Sequence, residues 1–176
     1  MRTMAAAAAA AAATAAGAAY CQPRFMSSSS FVSDAPKPLG AYTHAREVKA
    51  GEGLLFLAGI GPREPGEGNT VPGGPVEDGD GQRREYDATA QSKQCIANVE
   101  RVLAASGLTL SDVIDVHAFL IDMKRDFKAF NAVYADAFGG LPTPPTRTTI
   151  EVGELPPGGR IAVELKVVAR MPPASS

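Results

Sequence analysis

The sequence contains few of the residues that build disulfide frameworks and metal sites. Its 176 residues include two cysteines and two histidines, and His44 and His117 lie far apart in the chain. Cys21 and Cys95 lie in segments of very different character, so no disulfide or metal-ligand spacing is visible. Cys95 is predicted to be a buried thiol on a helix. Phosphate-loop, HExxH and GxSxG motifs are also absent. The sequence therefore gives no reason to expect a bound metal ion or an organic cofactor.

The chain also lacks a strong excess of charge and a long apolar run. Its net charge is −2, which gives no reason to expect a nucleic-acid or anionic-membrane partner. No apolar stretch is long and clean enough to span a bilayer. Hydrophobic residues make up 45% and charged residues 20% of the chain, which is ordinary for a globular protein. At this length we expect one domain with a substantial core.

Acidic residues are missing from the N-terminal segment, since the first one in the chain is Asp34. Residues 1–33 are rich in alanine and serine and carry Arg2 and Arg24. This composition resembles an organelle transit peptide, with a candidate processing site at 24–27; the alternative is an untranslocated low-complexity tail. We therefore predict an N-terminal segment 1–33 and one domain over 34–176. The expected location is the mitochondrial matrix or, without targeting, the cytoplasm.

Two segments have the apolar periodicity of helices. Apolar residues recur at spacings of three and four over Asp87–Ser106 and over Asp126–Phe138. Asp87 can cap the start of the first helix, and Gly107 can end it where φ becomes positive. Gly139 stops the second helix. The predicted apolar stripe of the second helix comprises Phe127, Phe130, Tyr134 and Phe138.

Short alternating or apolar segments on either side of these helices predict strands. A long loop rich in Gly, Pro and charge is predicted over Pro62–Arg84, with one edge strand near Thr70–Val76. The predicted strands are Tyr42–Val48, Gly53–Gly59, Val113–Ile121, Thr146–Val152 and Arg160–Ala169.

The order of strands, helix, strand, helix and strands predicts a two-layer α+β sandwich, in which a mixed sheet carries both helices on one face. Alternation in the last two strands predicts which side chains share a face. One face receives Thr148, Ile150, Val152, Ile161, Val163 and Leu165, and the other receives Thr149, Glu151, Ala162, Glu164 and Lys166. The sheet face without helices is too large to be covered by water alone, so we expect it to pair with another copy of the chain.

Two charged residues on these strands are candidates for chemistry. Arg147 follows a proline-stiffened turn, and a guanidinium held by rigid backbone suits a bidentate grip on a carboxylate. Glu164 lies on the polar face of an apolar strand, where an ionised carboxylate can orient or deprotonate a water. Both patterns also fit ordinary surface residues, an exposed strand arginine and a glutamate paired with Lys166.

Four short segments resemble motifs of the RidA (YjgF) family. Pro38–Ala45 (PLGAYTHA) resembles the family's PIGPYSQA opening, and Leu55–Gly59 (LFLAG) resembles its LFVSG strand. Phe130–Tyr134 (FNAVY) resembles its FNxVY helix. Pro145–Thr149 (PTRTT), with Leu155-Pro156 following, resembles its Arg-Ser-x-Val turn and the Leu-Pro after it. The segments occur in order and span essentially the whole globular part.

The resemblance implies a chorismate-mutase-like α+β fold and a barrel-like homotrimer with sites in clefts between subunits. It also implies hydrolysis of reactive enamines or imines to ketones and ammonia, without a cofactor. In the family, the arginine that matches Arg147 grips the substrate carboxylate, and Glu164 is our choice for the catalytic glutamate. Tyr42 and Asn131 match other cleft positions, although Asn131 could instead brace its helix.

Within the family, the chain looks most similar to the 2-aminomuconate deaminases. Tyr42-Thr43-His44 resembles their Tyr-Pro-His, Gly59–Pro65 resembles their Gly-x-x-x-Arg-x-Pro, and Arg147-Thr148-Thr149 matches their Arg-Thr-Thr. 2-Aminomuconate is a dicarboxylate, and Arg63 is the candidate for a second cation at its far end. The alternatives are a mobile loop arginine at Arg63 and a half-buried strand histidine at His44.

Two departures from the family pattern bear on activity. Ala58 replaces the serine of the family's strand, so one polar cleft group is missing. An ungapped alignment from Leu155 puts Ala162 at the position of the catalytic glutamate, whereas alignment from the strand end selects Glu164. A slip of two residues keeps a side chain on the same face of a strand, so Glu164 can face the cleft.

The predicted function is that of a hydrolase that releases ammonia from 2-aminomuconate or a related carboxylate-bearing enamine or imine. One alternative is a general deaminase of 2-aminoacrylate and 2-iminopropanoate, whose substrates need no second cation. The other is a non-catalytic ligand-binding trimer, for which an alanine at the glutamate position is the signature.

Overall fold

The computed structural model describes residues 29–30, 36–66, 70–77, 85–156 and 160–173. Two short strands precede a four-stranded sheet, and two α-helices pack on one face of that sheet. The strands are β1 (Ser29–Ser30), β2 (Ala45–Arg46), β3 (Gly53–Ile60), β4 (Val113–Leu120), β5 (Thr146–Glu151) and β6 (Val163–Met171). The helices are α1 (Ala88–Ala104), a 3-10 turn (Leu110–Asp112) and α2 (Met123–Phe138).

The main sheet is mixed, as predicted. Its strand order is β3-β6-β4-β5, in which β4 and β5 run parallel and the other neighbours run antiparallel. Parallel strands need a long crossover connection, and α2 supplies it between β4 and β5. The predicted two-layer α+β architecture is confirmed.

Helix α1 forms where its capping residues and its apolar stripe agree. The Asp87 side chain accepts hydrogen bonds from the backbone N–H groups of Thr89 and Ala90, which satisfies two otherwise unpaired donors. Cys95, Val99 and Leu103 are fully buried against the sheet. The turn that follows contains Gly107 at φ +70°, the left-handed conformation that glycine adopts without strain. The predicted boundaries are confirmed within two residues.

Helix α2 begins three residues earlier than predicted, because Asp122 rather than Asp126 caps it. The rings of Phe130, Tyr134 and Phe138 are buried and pack against one another with centroids 4.5 to 5.7 Å apart. Phe127, also predicted for this stripe, stays 38% exposed.

The predicted grouping of faces is wrong for β5. In the parallel register, Arg147 lies beside the fully buried Val116, and Thr149 lies beside the fully buried Ala118. Residues that are paired across neighbouring strands point to the same face of a sheet, so Arg147 and Thr149 face the helices. Alternation fixes faces only within one strand, and β5 is too polar on both sides to show which face is covered.

The opposite face of the sheet carries no helix, and we call it the bare face. Its residues come from all four strands, and the antiparallel register places Glu164 beside Phe119 and Lys166 beside His117. Several of its apolar side chains are exposed. Its members include Leu54, Phe56, His117, Phe119, Thr148, Ile150, Glu164, Lys166 and Val168.

Hydrogen bonds attach the long loop between β3 and α1 to the rest of the domain. The buried Gln91 side chain donates to the carbonyl of Gly74 and accepts from the backbone N–H of Ala162, so it ties the loop to the approach to β6. The expected edge strand near 70–76 does not form; Val76 instead donates its N–H to the carbonyl of Arg160. Residues 67–69 and 78–84 lie outside the described ranges.

The first predicted strand, Tyr42–Val48, is reduced to the two residues of β2, which pair with β1. Two residues of the predicted N-terminal segment, Ser29 and Ser30, therefore pair with the domain. The predicted processing site at 24–27 lies outside the described residues. Within the part of the chain that the structure describes, no helix has the length and apolar character needed to cross a bilayer.

Cys95 is the buried helical thiol that the sequence predicts. Its side chain is 0% exposed, and the thiol donates a 3.5 Å hydrogen bond to the carbonyl of Val163 in β6. Burial raises the pKa of this thiol, and the nearby charge of Glu164 raises it further. Cys95 therefore stays protonated at neutral pH and acts as part of the core.

Candidate functional site

Arg147 lies at the start of β5, in a setting built by α2 and by the segment before β2. Its Nη1 donates a 2.9 Å hydrogen bond to Oδ1 of Asn131 on α2. Its guanidinium carbon lies 4.6 to 5.9 Å from the centroids of four aromatic rings, a range typical of cation–π contacts. The rings belong to Tyr42, Phe127, Phe130 and Tyr134.

The segment before β2 is held against Arg147 by backbone bonds. Thr43 donates its N–H to the carbonyl of Pro145, 3.1 Å away, which brings Tyr42 next to β5. The Tyr42 hydroxyl accepts from the N–H of Leu39 at 2.9 Å. A Cβ on Gly40 would lie 3.2 Å from both Nη2 of Arg147 and Oδ1 of Asn131, so glycine allows this close approach.

Arg147 forms no ion pair with the residues that the structure describes. No carboxylate of the described residues lies within 4.0 Å of its guanidinium. Desolvation lowers the pKa of Arg147, and the nearby hydroxyls of Tyr134 and Tyr42 oppose that effect. A half-buried guanidinium with an aromatic surround and one side-chain anchor is ready to bind an anionic group from outside.

Glu164 forms a second cluster, on the bare face. It lies over Gly59 of β3, where an irregularity shifts the β3–β6 register between Phe56 and Gly59. A Cβ on Gly59 would come within 2.8 Å of Cδ of Glu164, so the carboxylate occupies the space above this glycine. Desolvation raises the pKa of Glu164, and the charge of Arg63 opposes that rise.

Ala162 and Glu164, the two alternatives for the position of the catalytic glutamate, lie in different environments in the structure. Ala162 precedes β6 and is 0% exposed, with its N–H bonded to Gln91. Its Cβ therefore belongs to the core, and the expectation that Ala162 and Glu164 share a face is wrong. The strand begins at Val163, so period-two alternation does not extend back to Ala162.

The remaining candidates lie near these clusters or in the segment that leads to β2. Arg63 is exposed and lines a cavity of about 280 Å³ beside Gly59. His44 directly precedes β2, and its Nε2 is hydrogen-bonded to the carbonyl of Pro36 at 2.7 Å, which engages that ring nitrogen within the chain. Ala58 is exposed on β3 beside Gly59.

Five of the six candidates thus form two groups, and His44 belongs to neither. Tyr42, Asn131 and Arg147 meet on the helix side of β5. Glu164 lies on the bare face, and the charge of Arg63, beyond the end of β3, acts on it. The four-stranded sheet stands between the groups, with β5 at one edge and β3 at the other.

Other residues that shape the clusters were not predicted. Gly40, Gly59 and Tyr134 lie inside the segments with family resemblance, which was the one signal that could have marked them. Asn98 and Arg101, which line the cavity next to Arg63, have no signal in the sequence beyond their place on an amphipathic helix.

Comparisons with known proteins agree with this fold and with these segments. The family model described as endoribonuclease L-PSP matches residues 32–171. A RutC family protein of Pyrococcus horikoshii is 36% identical over 144 residues, which cover 82% of this chain and 98% of the relative. A goat (Capra hircus) protein named 2-iminobutanoate/2-iminopropanoate deaminase is 31% identical over 133 residues, 76% of this chain and 83% of the relative.

Solved structures show the same fold. The crystal structure of the YjgF gene product from E. coli superposes with a TM-score of 0.53 at 27% sequence identity, and the match covers 77% of this chain and 91% of that one. These matches agree with the four segments of family resemblance and with the mixed sheet and its two helices. The chain belongs to the endoribonuclease L-PSP family, the RidA (YjgF) family.

Proposed function

We propose that the chain is a hydrolase that converts a carboxylate-bearing enamine or imine to a ketone and ammonia. The observation that carries this proposal is Arg147, a half-buried guanidinium surrounded by aromatic rings with no carboxylate of the described residues in ion-pair contact. Such a group suits the carboxylate of a small planar substrate. Imine deaminase activity at the family level is supported by the goat relative's name.

The proposed reaction needs only an anchor, a base and water. Arg147 binds the carboxylate next to the C–N carbon, and an enamine tautomerises to the imine there. Glu164 removes a proton from a water as the oxygen attacks the imine carbon, and that proton passes to the imine nitrogen, which gives a neutral carbinolamine. The carbinolamine loses ammonia and forms the ketone, so that one imine and one water yield one ketone and one ammonia. Orientation within a closed cleft supplies much of the acceleration.

Glu164 is suited to this role by its environment. Its partial burial raises the pKa of the carboxyl, which makes the carboxylate a better proton acceptor than an exposed glutamate. The charge of Arg63 acts in the other direction and favours the ionised form. The two influences together favour a base that is ionised and still reactive.

A complete site requires a second copy of the chain in this proposal. Arg147 and Glu164 face opposite sides of one sheet, so one chain does not bring both to one small substrate. The bare face also exposes apolar side chains, with Phe56 at 64% and Ile150 at 43% exposure, as a face does that packs against a partner. We infer that Arg147 of one copy and Glu164 of another line a cleft between subunits, in a homotrimer as the family resemblance implies.

The finer assignment is a 2-aminomuconate deaminase. Its support is Arg63, a second cation whose charge acts on Glu164 and which lines the cavity beside Gly59. In this proposal Arg63 binds the far carboxylate of a dicarboxylate. A general deaminase of 2-aminoacrylate and 2-iminopropanoate is the second candidate, and the goat relative's name favours it.

The test is ammonia release from freshly generated 2-aminomuconate and 2-aminoacrylate by the wild type and by Arg147→Ala. We expect the substitution to lower kcat/KM at least about a hundredfold, because a charge-assisted bidentate contact is lost. Lys128→Ala removes an equal charge from an exposed position of α2 and should leave turnover unchanged.

The outcomes separate the candidates. Faster turnover of 2-aminomuconate supports the finer assignment, and faster turnover of 2-aminoacrylate supports the general deaminase. Full activity in Arg147→Ala contradicts the proposed site. Tight binding of both compounds without ammonia release by the wild type points to the non-catalytic ligand-binding protein.

A further inference from the structure

A cavity at the end of β3 has the charge of an anion-binding site. It lies between the C-terminal half of α1 and the start of the long loop, and its volume is about 280 Å³. Arg63 and Arg101 both line it, and none of the described residues that line it is acidic. Two guanidiniums around a space of this size can each donate more than one hydrogen bond to an anion.

One amide side chain organises this cavity. Nδ2 of Asn98 donates to the carbonyls of Gly61 and Arg63, at 2.9 and 2.8 Å. Oδ1 of Asn98 accepts from Nη1 of Arg101 at 2.7 Å and from Nε2 of Gln94 at 2.9 Å. The amide thus fixes the backbone that carries Arg63 and also orients Arg101. With two donors and two acceptors engaged, Asn98 has no capacity left for a ligand, so its role is positional.

The cavity adjoins the proposed catalytic carboxylate. Gly59 lines the cavity and also lies directly beneath Glu164. Arg63 lines the cavity, and its charge acts on Glu164. A ligand whose reacting carbon lies at Glu164 can therefore extend toward the cavity.

We propose that this cavity binds the second carboxylate of a dicarboxylate substrate, with Arg101 and Arg63 as its ligands and Asn98 as a positioning residue. The proposal deepens the proposed function and rests on it for the reacting end of the substrate. It adds Arg101 as the cation that distinguishes a dicarboxylate from a monocarboxylate. The chemical class is a short, unsaturated or extended diacid, because a second acidic group must reach past Glu164.

The binding test uses two unreactive ligands of equal length, muconate and sorbate. Sorbate carries a methyl group where muconate has its second carboxylate, so their affinity ratio reports on the distal group alone. Calorimetry with the assembled wild type should show tighter binding of muconate. In Arg101→Gln that advantage should fall about five- to tenfold while sorbate affinity stays the same. Lys93→Gln, an equal loss of charge on another flank of α1, should behave as wild type.

Asn98→Ala tests the positioning role, since it keeps both arginines but releases the loop backbone and Arg101. We expect KM for 2-aminomuconate to rise while kcat and the kinetics with 2-aminoacrylate stay near wild type. Thermal unfolding of the variant checks that the fold is retained.

The two proposals fail in distinguishable ways. An unchanged muconate-to-sorbate ratio in Arg101→Gln overturns the distal-carboxylate site even if the enzyme releases ammonia normally. Equal affinity of the wild type for the two ligands overturns it as well. If no imine is hydrolysed and the ratio still depends on Arg101, the cavity stands as a carboxylate site and the deaminase assignment fails.

Discussion

Glu164 is a partly buried carboxyl group, and the nearby charge of Arg63 reduces the free-energy penalty of ionising it there. Desolvation raises the pKa of the carboxyl, and the Arg63 charge lowers it. In the proposed mechanism Glu164 is the general base and must be ionised, so turnover should fall as the pH drops through this raised pKa. The acidic limb of the pH profile is therefore the direct readout of the surroundings of Glu164.

Arg63→Gln should move that limb to higher pH. Removing the cation leaves desolvation unopposed, so the pKa of Glu164 rises further and more of the carboxyl is protonated at a given pH. The measurement is kcat/KM against pH with 2-aminoacrylate, a monocarboxylate that avoids any direct effect on a second acidic group. Lys93→Gln serves as the control, and a limb that stays in place or moves to lower pH contradicts the prediction.

Gly59→Ala should lower turnover with little loss of stability. The added Cβ would come within 2.8 Å of Cδ of Glu164, so the carboxylate must move, and it is the far end of a flexible side chain. We expect kcat to fall about tenfold or more, because misplacement by about 1 Å can cost that much. Gly140→Ala, where nothing lies within 4 Å of the added Cβ, is the matched control. Equal kcat values for the two variants would show that the position of Glu164 does not matter.

At the scale of elements, α1 holds together parts of the chain that are far apart in sequence. Gln91 is 0% exposed and bonds both Gly74 in the loop and Ala162 before β6. Without its side chain, a buried N–H and a carbonyl lose their partners. The same helix carries Asn98 and Arg101 to the cavity about two and three turns further on.

Gln91→Ala should therefore destabilise the fold by about 2 to 4 kcal/mol, the range expected when buried polar groups are left unpaired. Lys93→Ala, exposed on the same helix, should change the free energy of unfolding by less than about 0.5 kcal/mol. Urea denaturation of both variants measures the difference. A loss below about 1 kcal/mol for Gln91→Ala would mean that water replaces the amide without penalty.

The helices could be predicted because several local signals agree in each. In α1, Asp87, the apolar spacing and Gly107 all indicate the same boundaries. Strand β5, at one edge of the sheet, gave a weaker signal, because neither of its faces is consistently apolar. The face on which Arg147 lies therefore depends on the pairing of β5 with β4. Register is a property of the assembled sheet, and one strand's sequence does not contain it.

In the whole molecule, the proposed site residues lie on both faces of the sheet, with Arg147 on the helix side and Glu164 on the bare face. Individual candidates such as Arg147, Tyr42 and Asn131 were predicted from family resemblance, and the structure brings these three together. Their separation from Glu164 was not predicted, because it follows from strand order and register. The cavity residues Asn98 and Arg101 were missed for a related reason, since only the packing of α1 beside β3 makes them neighbours of Arg63.

Mixing two inactive variants tests whether the site is shared between copies. Arg147→Ala and Glu164→Gln should each be inactive alone, and reassembly of the mixture should restore about one quarter of wild-type activity, because half of the chains supply each intact residue at random. No recovery in assemblies shown to be mixed would place both residues in one chain's site.

Phe56→Glu, which puts a charge on the bare face, should yield inactive monomers by size-exclusion chromatography with light scattering.

The buried thiol of Cys95 also gives the protein a built-in chemical reporter. The thiol lies under β6 next to the residue that precedes Glu164, and alkylating reagents reach it only when α1 separates from the sheet. With Cys21 replaced by serine, the rate of modification at Cys95 therefore measures how often the layer beneath β6 opens. Comparing that rate with and without muconate would show whether a bound ligand holds α1 and β6 together, with no label or engineered probe added to the site.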